Sequence, residues 1–107
     1  MDKIMLTVET EVKEEYVRAI EKFGKTNHSD HESYAILLEE FEEALLMVEV
    51  AQQALDNFWT GVKENQLNSD KLAYLEKLRI AANCAACEFI QVATMAYKAR
   101  VTIKVRG

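Results

Sequence analysis

Apolar residues recur at spacings of three and four through three long stretches of this chain, with only two polar connections between them. Val8, Val12, Tyr16, Ala19, Ile20 and Phe23 trace one helical face and predict a helix from about Thr7 or Thr10 to Phe23. Gly24 should end it, because glycine is the usual residue just past a helix. After the loop Lys25-Thr26-Asn27-His28, the run Ser29-Asp30-His31-Glu32 fits a capping box, serine at the cap and glutamate three residues on. A second helix is predicted from there to about Asn57 or Glu64, with Gly61 either bending it or setting off a short extra helix near Phe58–Glu64. Asn65 to Ser69 forms the other connection, and Asn68 or Ser69 can cap a third helix running from about Asp70 to Ala99. Near the ends the period changes to two: Ile4, Leu6 and Val8 alternate with polar residues, as do Val101, Ile103 and Val105. Residues 1–6 and 101–107 are therefore expected as flexible termini or a small two-stranded ribbon.

The second helix is apolar on two sides. Each residue turns the helical wheel by about 100°. With Phe41 at the centre, Tyr34, Leu37, Leu38, Ala44, Leu45, Val48 and Leu55 form the expected core face. Glu42 and Glu49 fall to one side, while Glu39, Glu40 and Glu43 fall opposite, among Ile36, Leu46, Met47 and Val50. One chain with three main helices cannot cover both faces. The expected architecture is thus an all-α bundle of three main helices completed by homo-oligomerisation, as a dimer or tetramer. Ala81, Ala82, Ala85 and Ala86 would allow close helix approach at that contact. Carboxylates within an apolar face are costly to desolvate unless something positive meets them. A hard divalent cation, which takes oxygen ligands, is the natural candidate; the rim of a dimer interface is the plainer explanation.

Composition narrows the class. A chain of 107 residues makes one domain, and with no proline and three glycines its helices are almost unpunctuated. Half the residues are hydrophobic, which excludes general disorder. The net charge of −5 argues against a general nucleic-acid partner. No run of about 18 apolar residues exists to span a bilayer, and Met1-Asp2-Lys3-Ile4 opens no apolar signal core. A cytoplasmic location is expected, with no membrane partner and with Cys84 and Cys87 reduced.

The third helix carries a counterpart to the acidic run. With Phe89 central to its core face, Glu88 and Gln91 lie three residues apart on one flank. If the second and third helices pack antiparallel, Glu40, Glu43, Glu88 and Gln91 converge, which is how facing helices build oxygen-lined metal sites. Here the chain resembles a known family. Ala19-Ile20-Glu21-Lys22-Phe23-Gly24, a short loop, then Leu38-Glu39-Glu40-Phe41-Glu42-Glu43-Ala44 looks like the all-α nucleoside triphosphate pyrophosphohydrolases of the MazG type. Their pattern is E-E-x-x-E followed by E-x-x-D on a later helix, and the resemblance covers residues 16 to 98. It implies a magnesium- or manganese-dependent hydrolase that converts nucleoside triphosphates, ribo or deoxy, to the monophosphate and pyrophosphate. Residue by residue it implies Glu40, Glu43 and Glu88 as metal ligands and Glu39, the leading glutamate, as the group that orients or deprotonates water. Gln91 stands where the family has aspartate and offers a carbonyl oxygen without the charge. Lys98, within about two turns of Gln91, is the candidate for substrate phosphate.

Other readings compete. Gln91 favours a non-catalytic helical binding or scaffold oligomer that has kept the fold and lost the chemistry. Cys84, Cys87, His28 and His31 make a familiar zinc set, but C-x-x-C in the middle of an alanine-rich helix is better read as packing. The basic residues Lys98, Arg100, Lys104 and Arg106 suit the negative C-terminal end of the third helix.

Overall fold

The computed structural model describes residues 2–106. They form three α-helices, α1 (Lys3–Phe23), α2 (Asp30–Lys63) and α3 (Asn68–Arg106), with no strand among the described residues. Two compact units result: Met1–Phe41 with Glu88–Gly107, and Glu42–Cys87. No helix of the described residues is long and apolar enough to cross a membrane.

Local chemistry sets the helix ends. Asp2 caps α1 by accepting a bond from Met5 N at 2.9 Å, so α1 begins well before Thr7 and absorbs the alternating Ile4-Met5-Leu6 segment. Gly24, at φ 88°, takes the positive-φ conformation that glycine adopts without strain, and its N–H returns to Ile20 O. The capping box forms in part: Glu32 N donates to Ser29 Oγ at 3.1 Å, while the returning bond comes from His28 N at 3.4 Å. α2 then continues unbroken through Gly61, and no separate helix forms near Phe58–Glu64. It stops at Asn65, whose φ of 51° turns the chain and lets Gln66 N reach Gly61 O. Leu67, not Asn68 or Ser69, occupies the cap of α3, its carbonyl accepting from Lys71 N at 3.2 Å.

In the first unit, Tyr16 meets Tyr97 edge-on at 4.7 Å, and Phe41 meets Phe89 at 6.2 Å. The most deeply buried residues here are polar. Asn27 N donates to Thr102 Oγ1 at 3.0 Å, Asn27 Nδ2 donates to Ser33 Oγ at 2.7 Å, and Arg106 donates to Asn27 O at 2.7 Å. The tail therefore does not form a strand. Residues 101–106 extend α3 so that Thr102 and Arg106 grip the loop between α1 and α2. Met1 and Gly107 lie outside the described residues.

The second unit is a helical hairpin: α2 from Glu42, the turn at 64–67, and α3 to Cys87. Its fully buried apolar residues are all small: Ala44, Ala54 and Ala81. Gly61 is buried too, and a Cβ there would stand 3.2 Å from both Gln66 Oε1 and Lys71 Cγ. This corrects part of the face assignment for α2. On the Phe41 face Ala44 is buried and Leu37 half-buried, but Tyr34, Leu38, Phe41, Leu45, Val48 and Leu55 are exposed; on the other, Ile36, Met47 and Val50 are half-buried and Leu46 is exposed. Small side chains let neighbouring backbone approach, so within the hairpin the alanines hold the interior.

Candidate cation and phosphate site

A cleft of about 760 Å³ opens in the first unit. α1 contributes Glu15, Arg18, Lys22 and Phe23; the following loop adds Thr26, Asn27 and His28. Glu32, Ile36 and Glu40 come from α2, and Gln91, Met95 and Lys98 from α3. The clamp on Asn27 thus also holds one wall of the cleft.

Glu40 lines the cleft, and Glu88, which does not line it, faces Glu40 from α3. Glu40 is half-buried and brings a carboxylate oxygen within 4.8 Å of one on Glu88, also half-buried. Glu43, exposed and one turn further along α2, belongs to the Glu42–Cys87 unit. Gln91 lies one turn beyond Glu88 and lines the cleft with Glu40. Oxygens on one octahedral ion at about 2.1 Å stand about 3.0 Å apart when adjacent and about 4.2 Å when opposite. A separation of up to 4.8 Å closes by small side-chain rotations, and an all-oxygen donor set suits magnesium or manganese. Neither cysteine nor either histidine belongs to this group, and Cys84 and Cys87 are exposed free thiols.

Glu39 is placed differently from the others. It is exposed and lines neither the cleft nor the acidic group, because one residue's step of about 100° turns it away from Glu40.

The cleft also carries basic side chains. Lys98 is only 4% exposed, although it is a lysine on the last turns of α3. Among the described residues its Nζ donates no hydrogen bond and joins no ion pair; it lies 5.9 Å from the centre of the Phe23 ring. No buried side-chain nitrogen or oxygen lacks a partner among the described residues, so this Nζ keeps its access through the cleft. Lys22 Nζ stands 5.1 Å from the same ring. Phe23 itself is 67% exposed at the cleft, a flat apolar surface between two cationic side chains.

Glu15, on α1, is a further acid of the cleft. Gln91 Nε2 donates to Glu15 Oε2 at 2.8 Å, and Arg18 Nε donates to Glu15 Oε1 at 2.9 Å. Both bonds favour the ionised form, Gln91's more strongly, and hold the Glu15 carboxyl below its usual range. In sequence Glu15 stands beside Lys13 and Glu14 and reads as part of a solvated helix face.

Comparison with protein-family models, with curated proteins and with solved structures finds no match to this chain.

Proposed function

We propose that this chain is a magnesium- or manganese-dependent nucleoside triphosphate pyrophosphohydrolase of the MazG-like kind, acting as a homo-oligomer. The observation that carries this reading is a cleft lined by Glu40, Gln91 and the nine-tenths buried Lys98, with a Glu88 carboxylate oxygen within 4.8 Å of one on Glu40. A metal-bound triphosphate needs both: carboxylates for the ion, and a desolvated cation for the phosphate oxygens it does not cover. The exposed ring of Phe23 adds a surface on which a nucleobase can stack.

In this reading Glu40, Glu88 and the Gln91 carbonyl hold the ion. When bound, the ion neutralises phosphate charge and lowers the pKa of the water it holds. Lys98 and Lys22 receive the phosphate chain and fix its direction. Hydrolysis joins a water oxygen to the α-phosphorus and breaks its bond to the bridging oxygen, so pyrophosphate leaves. Glu39 lies outside the cleft, and the task of orienting water passes to the acids that line it.

The test is pyrophosphate release across the common and modified triphosphates with magnesium present. Glu88→Gln and Lys98→Met should each reduce turnover by about 100-fold. Wild-type protein that releases pyrophosphate from none of them refutes the enzyme reading. Gln91 favours one second reading, a module that binds a metal nucleotide without cleaving it; binding without turnover in the same samples would identify it.

A further inference from the structure

The site just proposed poses a chemical question. An amide at position 91 supplies no charge to a cation, yet it sits one turn from Glu88 and lines the cleft with Glu40. The answer lies across the cleft on α1. A carboxylate can only accept hydrogen bonds, so the 2.8 Å contact with Glu15 must use the Gln91 NH2 group as donor. That fixes which way the amide faces. With its nitrogen committed to Glu15, the Gln91 carbonyl oxygen is the only acceptor the side chain has left to offer.

We infer that Glu15 is a positioning residue for the cation site: it anchors Gln91 through the amide nitrogen and presents the carbonyl oxygen as a ligand. The inference rests on the cation reading above. It also explains why an acid is not required at position 91. A carboxylate there would face that of Glu15 at hydrogen-bond distance, and like charges so close disfavour joint ionisation. Glutamine and glutamate form a matched donor–acceptor pair. Arg18 holds the other Glu15 oxygen and so fixes the anchor itself. The same cleft holds a second, independent sign of an anionic ligand with its ion: Lys98, nine-tenths buried, with no acceptor for its Nζ among the described residues.

The experiment is manganese binding to the full chain, followed by electron paramagnetic resonance, with folding checked by circular dichroism. Glu15→Ala removes the anchor and should weaken Mn²⁺ binding by about 10- to 100-fold, the usual cost of losing a group that orients a ligand. The exchange Glu15→Gln with Gln91→Glu rebuilds the hydrogen bond with donor and acceptor reversed. It should return affinity to within about threefold of wild type, which a merely structural role for Glu15 would not require. Glu88→Gln serves as the control for the cation reading. If Glu15→Ala stays within about twofold of wild type while Glu88→Gln abolishes binding, the inference is overturned and the cation reading stands. If wild type itself binds no Mn²⁺ and Glu88→Gln changes nothing, both fall together. Should Glu15→Ala fail to fold, the exchange variant decides: affinity more than about tenfold below wild type overturns the inference.

Discussion

Single residues acquire their meaning here from what they face, not from their type. Glu39 and Glu40 are neighbours in sequence, but one faces solvent and the other a cleft. Glu15 shows the same dependence and gives a measurable consequence. Its carboxyl is held below the ordinary range, first by Gln91 and then by Arg18. A carboxyl depressed in the folded state stabilises the fold above its unfolded pKa, and that stability is lost as pH falls through the folded value. The difference in melting temperature between wild type and Glu15→Ala should therefore be full at pH 7 and shrink below about pH 4. A difference that stays constant down to pH 3 would show that Glu15 acts only through packing. The sequence singles out Glu40, Glu43, Glu88 and Gln91 because their wheel positions set charges or amides among apolar neighbours, and Lys98 because it lies within about two turns of Gln91. It hid Glu15, because Glu14-Glu15 beside Lys13 reads as an ordinary solvated face and only the partner on α3 reveals otherwise.

Some helix ends were legible from local chemistry, and the tail, decided by a distant contact, was not. Gly24 and the Ser29 cap are short-range devices, and those two ends fell where the residues indicated, whereas the Asp2 and Leu67 caps carried no sequence signal strong enough to place them. The tail is the counterexample. Val101, Ile103 and Val105 alternate as a strand would, but Thr102 between them is fully buried and ties α3 to the loop. Thr102 Oγ1 donates to Lys98 O at 2.9 Å and accepts from Asn27 N, so one hydroxyl serves both the helix and the loop wall of the cleft. Thr102→Val keeps the volume and removes the acceptor. Leaving the buried Asn27 N–H without a partner should cost about 1–3 kcal/mol in a urea titration. Ile103→Ala, at an exposed neighbouring position, should change stability by about 0.5 kcal/mol at most. Equal effects for the two variants would mean that the loop is not held through Thr102.

At the level of the whole molecule, the two-faced α2 makes association a matter of surface chemistry. Within the Glu42–Cys87 hairpin only alanines and one glycine are fully buried, while Trp59 is 57%, Leu55 47% and Leu72 65% exposed. Two helices can bury one stripe each against the other, and the remaining apolar stripes need a further partner. In the proposed homo-oligomer a second copy of the same hairpin would supply matching stripes and complete a four-helix arrangement. The substitutions Leu55→Glu and Leu72→Glu separate this from a chain that functions alone. On an isolated chain both side chains are already near solvent, and a charge there should alter stability by about 0.5 kcal/mol or less. Across an interface each buries a carboxylate against apolar neighbours and forces the copies apart. Light scattering should therefore give a dimer or larger mass for wild type at micromolar concentration and a monomer mass for the double variant, with a lower melting temperature. A wild type of monomer mass whose melt is untouched by both substitutions would remove oligomerisation from the proposal. The cleft chemistry of the first unit would then have to act within a single chain, which the manganese titration tests on its own terms.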